Sequence, residues 1–502
     1  MSARPTAGPC ESEQRAAMTL LVLATLALAA GVVAIVTADN RPAVSLVVGL
    51  VGALGVMALA LVMPPEESLR IGGVGLVSTP VVRAMAVAWA AGLAVLALLE
   101  VAVGGRLTVV GPSLVGLAVG VVALATRDPA SSMAALAAGG VAGVVVPGLS
   151  GWLDRADSPS RLPTTSRGSL AILGSGLLGM VVIAWGASAA GPFGAGAISV
   201  EPGGRFGLGL GLLGMVAAVA IRCGLIPLHV WAARFMEGVS PLAIPAAFAW
   251  GSAVFVLVAL DWSQVVPGPT AAGDVERLLI IALALTSIVL GGLAAMVHDD
   301  IEHVLGYSIL QDAGVAVLAF ASLEPEVVAA ARNWLVASAT VKTALAAWAA
   351  VVRTTYGGHR LADLGGWARR SPVLGLAFAG ILVAAIALPG FSMWDARVTL
   401  IDGAIPGLGS VLAIVAAAMP AIYLGRIGFA GIAPITSAVA AGPSGRPRWS
   451  GGRAAGWSEG SVGQAIRAVP AELRANRAAL AAAGVVALAA MALATAVGGA
   501  GG

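Results

Sequence analysis

Lys342 is the only lysine of the chain, and the other 27 of its 28 basic residues are arginine. It lies in a long apolar run, NWLVASATVKTALAAWAAVV. A lone ammonium in hydrocarbon costs about 2.5–3.5 kcal/mol on insertion scales unless it faces water or a partner. Because a desolvated lysine can release its proton and arginine effectively cannot, Lys342 is a candidate proton carrier. The alternative is a side chain that reaches the membrane interface or fills a pocket between helices.

Asp312 is an acidic residue that could pair with such a cation. It lies about three turns into an apolar segment that starts near Ile301, which is deep enough to require a partner. Arg222 or Lys342 could supply one, and breaking one side of a buried pair typically costs about 3–5 kcal/mol. Two interpretations stay open for Asp312: a fixed ion pair that locks helices together, or a relay group for protons.

Two apolar segments are interrupted by proline close to charge. Arg222 precedes Pro227 in the first segment, and Pro389 precedes Arg397 in the second. Proline removes a backbone hydrogen bond and frees a carbonyl, which is tolerated at membrane depth only beside protein or water. Paired interruptions of this kind predict an inverted-repeat transporter with an ion path near the middle of the membrane. The alternative is two ordinary proline kinks.

Histidine occurs in two places that could carry chemistry. His229 follows the first interruption and could either transfer protons near neutral pH or hydrogen-bond the carbonyl that Pro227 frees. A second group has residue types that bind metals: His298, Asp299, Asp300, Glu302 and His303. It falls in a predicted cytoplasmic connection, where charges are usually solvated and Asp caps the next helix, so we predict no metal site there. Cys10 and Cys223 give no zinc or iron–sulfur spacing either.

The composition indicates which elements position these residues. Hydrophobic residues make up 59% of the chain and charged residues 11%, with a mean hydropathy of +0.96. A soluble domain does not require so much apolar surface, because a single core stops growing near about 250–300 residues. The 67 glycines suit tightly packed membrane helices. The net charge of +3 is too small to suggest nucleic-acid binding. We therefore predict an all-α, polytopic membrane protein.

Apolar runs of about 20 residues, the length that crosses a bilayer, predict about 14 transmembrane helices. They lie near residues 17–38, 43–63, 81–103, 107–126, 130–148, 169–190, 206–226, 241–261, 277–297, 301–321, 327–352, 373–397, 404–430 and 478–498. The first run lacks a convincing signal-peptide cleavage site and is followed at once by the next span, so we interpret it as a retained helix. Glu100, near the outer end of the third run, is predicted to be interfacial.

Arginine is more frequent on one side of these spans, and the positive-inside rule assigns that side to the cytoplasm. The richer side has Arg41, Arg106, Arg155, Arg161, Arg167, Arg234, Arg353, Arg360, Arg369, Arg370 and the arginines of residues 446–477. Both termini are then predicted on the outer side of a bacterial-type inner membrane. Residues 442–477 form a cytoplasmic loop whose Gly/Ser/Arg mixture favours a flexible linker, with binding of a partner or of lipid headgroups as the alternative.

Three segments follow one another in a specific order: IRCGLIPLHVWAARFMEGVSPLAIPAAFAWGSAVF, HDDIEHVLGYSILQDAGVAVLAF and ADLGGWARRSPVLGLAFAGILVAAIALPGFSMWDAR. They resemble the Pro-Phe-His-x-Trp-Leu-Pro turn, the Leu-Leu-Ala-Tyr-Ser helix start and the Leu-x-Gly-x-Pro run of the antiporter-like membrane subunits of respiratory complex I. The resemblance covers roughly residues 205–400. It is strongest to the NADH-quinone oxidoreductase subunit N type, followed by subunit M and the multisubunit cation/proton antiporters.

This resemblance implies two inverted antiporter-type repeats, each with a proline-broken helix. The implied organisation is one integral membrane domain, residues 1–502, divided into N-terminal helices (17–126), a first repeat (130–261), a second repeat (277–430), the loop 442–477 and a C-terminal helix (478–498). Protons are implied to hop along charged groups and buried water, driven by redox chemistry elsewhere.

The resemblance also implies roles for particular residues. By position, Arg222 and Arg397 correspond to the lysines of the two broken helices, and Lys342 corresponds to a central lysine. His229 and Glu237 occupy positions of the signature itself. Together with Asp312, these residues are the candidate proton-transfer group.

Departures from the family pattern put the relay in doubt. The expected glutamate falls on Ala137, an expected lysine falls on Ser252, and an expected histidine falls on Asp312. Arginine at positions 222 and 397 can anchor a carboxylate or a water chain but cannot shed a proton. Either the relay has been rebuilt around Lys342 and Asp312, or the subunit has stopped pumping.

Three functions are therefore considered. The first is a membrane subunit of a complex I-like, redox-driven proton-translocating assembly, in contact with other membrane subunits and the lipid bilayer. No cofactor is expected on this chain, since quinone, flavin and iron–sulfur clusters would belong to partner subunits. The second is a structural or docking subunit with a degenerate relay. The third is a membrane partner of a soluble enzyme, such as an inorganic-carbon uptake system, for which the loop 442–477 is the only indication.

Overall fold

The structure is a computed structural model. It describes residues 9–38, 40–64, 68–71, 74–103, 109–140, 161–189, 202–238, 240–265, 273–356, 360–433 and 477–499.

The N-terminal part consists of paired helices and one small hairpin. Its elements are α1 (Pro9–Thr37), α2 (Pro42–Val62), β1 (Ser68–Ile71), β2 (Val74–Val77), α3 (Pro80–Ala102) and α4 (Val110–Ala125). Proline at the first helical position starts α2 and α3, where its missing N–H costs nothing, and Thr79 caps α3 by accepting from the Val82 amide at 3.2 Å. The antiparallel hairpin, with Ser68 opposite Val77, is a feature that the sequence analysis did not predict.

The first broken helix lies in the next part of the chain. Its elements are α5 (129–140), α6 (Arg161–Ala189), α7 (Pro202–Cys223), α8 (Val230–Gly238), a 3₁₀ turn (Pro241–Ala243), a π-helical turn (Pro245–Trp250) and α9 (Gly251–Val265). Six residues, 224–229, separate α7 from α8 and contain Pro227 after a cis peptide bond. The first predicted proline break is confirmed.

The second broken helix follows a long central helix. The elements are α10 (Asp274–Val297), α11 (Ile301–Val317), α12 (Ala319–Ser322), α13 (Pro325–Tyr356), a 3₁₀ turn (Leu361–Leu364), α14 (Trp367–Arg370), α15 (Pro372–Ile386), α16 (Ser392–Ala404), α17 (Leu408–Ala417), α18 (Pro420–Ile432) and α19 (Arg477–Gly498). Residues 387–391 separate α15 from α16 and include Pro389, so the second break is confirmed as well.

Helices dominate the described residues, which confirms the all-α, polytopic fold class. Ten of these helices are long and apolar enough to span a membrane, or eleven if one pair bent by 111° counts as a span. This is fewer than the predicted 14, because the chain breaks some spans into shorter helices. Residues 110–125 and 207–223 are apolar but short, and α15 ends before the Pro389 break. Residues 141–148 of the predicted fifth span lie outside the described residues.

Helix α13 lies at the centre of the molecule. It contacts α3, α11, α15, α16 and α19, and its most apolar window is entirely buried. Small residues bring neighbouring helices close: a Cβ on Gly314 of α11 would lie 3.1 Å from the Ala284 carbonyl oxygen and from the Ile288 amide nitrogen of α10. Side chains on α13 and on the adjoining face of α11 are therefore held away from lipid.

Candidate functional site

A buried ion pair joins the middle of α13 to α11. The Nζ atom of Lys342 lies 2.9 Å from Oδ2 of Asp312, and the two side chains are 2% and 12% exposed. At this distance the contact is a charge-assisted hydrogen bond in which the ammonium donates to the carboxylate. Of the two partners that the sequence analysis offered for Asp312, the structure selects Lys342.

Arg397 lies close to this pair and closes the end of a broken helix. Its guanidinium donates from Nη1 to the Ile386 carbonyl at 2.8 Å and from Nη2 to the Ala385 carbonyl at 3.3 Å. These are two of the last carbonyls of α15, which have no partner within the helix. Arg397 is 1% exposed, so its charge compensates the negative end of the α15 dipole inside the protein.

Trp334 connects Arg397 with the ion pair. The guanidinium carbon of Arg397 lies 5.1 Å from the centroid of the Trp334 ring, a cation–π geometry. The indole Nε1 of Trp334 donates to the backbone carbonyl of Asp312 at 2.9 Å. The negative charge of Asp312 also acts on Arg397, so one carboxylate faces two buried cations.

A polar chain continues from this site to α18. The Tyr423 hydroxyl donates to Oε1 of Gln311 at 3.0 Å, and Nε2 of Gln311 donates to the Ala416 carbonyl at 3.0 Å. Tyr423 is buried, and Gln311 is the neighbour of Asp312 in sequence. The sequence analysis missed both residues, since a tyrosine and a glutamine in apolar helices have no spacing that marks them.

The first break is closed by backbone and indole groups. Gly224, with φ of 63°, ends α7, and the amides of Gly224 and Leu225 donate to the Ile221 and Ala220 carbonyls at 3.2 and 2.8 Å. Glycine suits this left-handed position because it has no Cβ. The indole Nε1 of Trp231 also donates to the Ile221 carbonyl, at 3.0 Å. Trp231 therefore caps a carbonyl at the end of α7, and both alternatives for His229 stay predictions.

His229 lies in a group of aromatic rings near the end of the α10–α11 hairpin. Its ring centroid is 6.3 Å from that of Tyr307. Tyr307 stacks on His298 at 5.1 Å, and His298 stacks on His303 at 4.8 Å. The Nδ1 atom of His229 is buried and has no hydrogen-bond partner in the described part of the chain. Two histidine rings, His229 and His298, thus contact Tyr307, and His303 extends the stack on His298.

The charged group at 298–303 is held by ion pairs with other helices. Glu302 pairs with Arg353 of α13, and Asp299 pairs with Arg426 of α18 at 2.8 Å. Asp300 caps α11 by accepting from the Glu302 amide at 2.8 Å, as the sequence analysis predicted. Glu302 is only 8% exposed, so this carboxylate is buried in an interhelical pair rather than solvated.

Arg222 is buried apart from every described carboxylate. It is 3% exposed, and its Nε and Nη1 atoms have no hydrogen-bond partner among the described residues. A Cβ at Gly140 would lie 3.5 Å from Nη2 of Arg222, and one at Gly251 would lie 2.6 Å from it. The guanidinium therefore lies between α5 and the start of α9.

Ala137 does not face Arg222. A Cβ on Gly176 of α6 would lie 2.3 Å from the Ala137 Cβ, so this side chain is packed tightly against α6 and a glutamate would have no room. Position 140 of α5 approaches the guanidinium. The departure from the family pattern at Ala137 is therefore accommodated by the packing of α5 on α6.

The structure brings together only some of the predicted residues. Lys342, Asp312 and Arg397 form one site, whereas Arg222 and His229 lie at the other break. Glu237 lies in α8, and its side chain is outside the described residues. Glu100, near the end of α3, is 2% exposed, and its Oε1 accepts from the Val109 amide at the start of α4 at 2.9 Å; its depth in the membrane stays a prediction.

Residues 201–421 match the family described as NADH:quinone oxidoreductase/Mrp antiporter, transmembrane. The match contains both broken helices, the ion pair and Arg222. The resemblance recognised from the motifs at 205–400 is therefore confirmed.

Curated relatives are similar in sequence to about half of the chain. The NADH-quinone oxidoreductase subunit N of Cereibacter sphaeroides is 32% identical over 213 residues, which is 42% of this chain and 46% of that protein. Subunit N of Maricaulis maris is 27% identical over 265 residues, 51% of this chain and 54% of that protein. The matched part of the chain thus spans about half the length of these relatives.

Solved structures share the whole fold. A chain of respiratory complex I from Thermus thermophilus aligns with a TM-score of 0.64 at 19% identity and covers 95% of this chain and 97% of that one. A chain of the Mrp complex from Dietzia sp. aligns with a TM-score of 0.64 at 17% identity and covers 96% and 98%. The chain therefore has the antiporter-like membrane fold and is a multi-pass membrane protein.

Proposed function

We propose that this chain is a proton-translocating membrane subunit of a complex I-like, redox-driven assembly, with Lys342 as its central proton carrier. The observation that supports this most directly is the 2.9 Å contact between the Lys342 ammonium and the Asp312 carboxylate inside the helix bundle. Lysine is the one buried cation here that can give up its proton, because arginine keeps its charge at any accessible pH.

The surroundings of the pair suit a switch between two charge states. With Lys342 protonated, Asp312 pairs with the ammonium, and its negative charge also acts on the Arg397 guanidinium. Loss of the Lys342 proton leaves the Arg397 guanidinium as a fixed positive charge near the carboxylate, which lowers the cost of that state. Arg397 holds a fixed charge beside the site, and Lys342 supplies the mobile one.

The redox chemistry belongs to partner subunits in this proposal. Related chains of the same fold come from multi-subunit assemblies: respiratory complex I, an Mrp complex and a membrane-bound sulfane sulfur reductase. Quinone, flavin and iron–sulfur clusters would lie on those partners, and this chain would contact other membrane subunits and lipid. Arginine placement gives an orientation with both termini on the outer side of a bacterial-type inner membrane.

Proton pumping by the assembly in reconstituted vesicles tests the role of Lys342. Lys342→Arg keeps the positive charge and can keep the ion pair but removes the releasable proton, so we expect proton translocation to fall to background while subunit assembly is retained. Lys342→Ala is expected to abolish translocation as well. Full pumping by an assembled Lys342→Arg complex would contradict the proposal.

A structural subunit with a degenerate relay is the second candidate function. It is favoured by Arg397, whose guanidinium is occupied by the carbonyls of Ala385 and Ile386, and by Arg222, which has no described carboxylate partner. Under this alternative the Lys342–Asp312 pair only locks α13 to α11. Pumping that is unchanged in Lys342→Arg and in Lys342→Ala, with assembly intact, would support it. The inorganic-carbon alternative rests on residues 442–477, which lie outside the described residues.

A further inference from the structure

A cavity of about 400 Å³ lies where α3 and α13 begin and where α4 and α9 end. Its volume is within the range of about 300–1,000 Å³ that is usual for ligand sites. Three of these helices belong to segments long and apolar enough to cross a membrane: Pro80–Ala102, Pro241–Val265 and Pro325–Tyr356. Because the ends of spanning helices lie near the membrane–water interface, the cavity lies there too. Neither Lys342 nor Asp312 lines it.

The polar part of the cavity wall is an accessible ion pair. Nη2 of Arg332 lies 2.8 Å from Oδ1 of Asp261, and the two side chains are 35% and 50% exposed. Both line the cavity, as does the partly exposed Asn333. A guanidinium and a carboxylate each have several hydrogen-bonding positions, and their mutual contact uses one donor nitrogen and one acceptor oxygen. A ligand in the cavity can therefore reach a positive and a negative group that lie side by side.

The rest of the accessible wall is largely apolar. Pro80 and Ala329 are exposed, and Val81, Ala84 and Leu124 are partly exposed. All five line the same cavity as the ion pair. An apolar wall next to a charged one favours a ligand that has both kinds of surface.

The paired charges specify the headgroup of such a ligand. Asp261 disfavours a headgroup that is only anionic, and Arg332 disfavours one that is only cationic. A zwitterion with a phosphate and an ammonium matches both, since guanidinium binds phosphate and carboxylate accepts from ammonium. A quaternary ammonium has no N–H to donate and is recognised by aromatic rings, and no aromatic residue of the described chain lines this cavity. A primary ammonium therefore fits better than a quaternary one.

We propose that this cavity binds one phospholipid whose headgroup has a phosphate and a primary ammonium, of the phosphatidylethanolamine class. Arg332 binds the phosphate, Asp261 accepts hydrogen bonds from the ammonium, and the apolar wall contacts the glycerol and the first methylenes. The site goes beyond the proposed proton translocation and does not depend on it, because it involves neither Lys342 nor Asp312.

Native mass spectrometry of the full-length chain tests the site. The chain is depleted of lipid in detergent and titrated with phosphatidylethanolamine, phosphatidylcholine or phosphatidylglycerol of identical acyl chains. We expect one saturable phosphatidylethanolamine per chain, bound at least about tenfold more tightly than either other lipid. Arg332→Gln and Asp261→Asn should each remove this preference. Arg426→Gln is the matched control, because it breaks a 2.8 Å ion pair with Asp299 that is also partly exposed and does not line the cavity; it should leave binding unchanged.

A pair of variants at Ala329 keeps the test decisive if the ion-pair variants do not fold. Ala329 lines the cavity at an exposed position, so Ala329→Trp places a large side chain in the space of the lipid, whereas Ala329→Ser leaves that space open. We expect Ala329→Trp to abolish the specific binding and Ala329→Ser to retain it. The proposal is overturned if the folded native chain binds no phosphatidylethanolamine saturably, if phosphatidylcholine or phosphatidylglycerol binds as tightly, if a folded Arg332→Gln keeps the preference, or if the two Ala329 variants behave alike.

Discussion

Three buried cations in the described part of the chain have three different environments. Lys342 contacts the Asp312 carboxylate at 2.9 Å, Arg397 donates to backbone carbonyls, and Arg222 has donors without an acceptor. A cation that donates to helix-end carbonyls stabilises the structure. A lysine beside a carboxylate can in addition release and regain a proton. Under the proposed function, proton transfer therefore belongs to Lys342, whereas Arg397 stabilises the end of a helix.

Replacing one partner of the ion pair and then both partners separates stability from transport. Asp312→Asn leaves the Lys342 ammonium buried without its counter-charge, and we expect a loss of about 3–5 kcal/mol in the free energy of unfolding. The double variant Lys342→Met/Asp312→Leu removes both charges of the pair, and because the Asp312 charge also acts on Arg397, we expect only part of that stability to return while pumping remains absent. Thermal unfolding in detergent and pumping in vesicles provide the two measurements. A double variant that pumps would contradict the role given to the pair.

Arg397 gives the second residue-scale prediction. Arg397→Gln removes two hydrogen bonds to the end of α15, and because hydrogen bonds to charged groups contribute about 1.5–3 kcal/mol each, we expect a destabilisation of about 3 kcal/mol or more. Arg83→Gln is the matched control, since Arg83 donates to the Leu61 carbonyl at an exposed position; its cost should be below about 1 kcal/mol. Equal thermal stabilities of the two variants would show that Arg397 is not a helix cap.

At the scale of elements, the two broken helices achieve the same result by different means. Both breaks follow the first half-helix with a left-handed residue, Gly224 or Ala387; the first break adds the Trp231 indole, and the second adds the Arg397 guanidinium. The proline positions predicted both breaks from the sequence. Which side chain closes each break could not be predicted, because Trp231 and Arg397 reach carbonyls 10 and 11 residues earlier in the chain, across the break.

The contacts within the candidate site could be predicted only in part, for the same reason. The sequence predicted that Asp312 needs a cation, but the choice between Lys342 and Arg222 depends on how α11 packs on α13 and α7. Ala137 is an example in which spacing along the chain was misleading. The spacing aligned it with a family glutamate, but α5 packs on α6 so that Gly140 lies next to Arg222. Apolar helices carry little periodic signal, because residues facing lipid and residues facing the core are both hydrophobic.

Close contact between α10 and α11 gives a prediction at the element scale. A side chain at Gly314 would meet backbone atoms of Ala284 and Ile288 at 3.1 Å, so Gly314→Val should push the helices apart and destabilise the protein by about 1–3 kcal/mol. Because Gly314 is two residues from Asp312, pumping should fall as well. Gly425→Val is the control, since a Cβ there has no neighbour within 4 Å. Unfolding temperatures that match for the two variants would contradict close backbone packing at Gly314.

At the scale of the whole molecule, α13 is the central helix of the bundle. It contacts α3 of the N-terminal part, α15 and α16 on the two sides of the second break, and the C-terminal α19, while its neighbour α11 contacts α7 and α8 on the two sides of the first break. Lys342, near the middle of this 32-residue helix, is thus surrounded by protein on every side. A movement at either break can reach the ion pair through α13 or α11 without passing through lipid.

Identifying the partners of the chain distinguishes a redox-driven pump from a protein that uses the same fold for another function. In the proposed assembly, the redox chemistry belongs to partner subunits. A tagged chain solubilised from its native membrane in mild detergent should therefore co-purify with iron–sulfur and quinone-binding subunits, identified by mass spectrometry. Lys342→Arg should recover the same partners, because the charge that supports packing is retained. Recovery of the chain alone, or with a soluble enzyme that performs no redox chemistry, would contradict the redox-driven assignment and leave the shared fold and the buried ion pair unaffected.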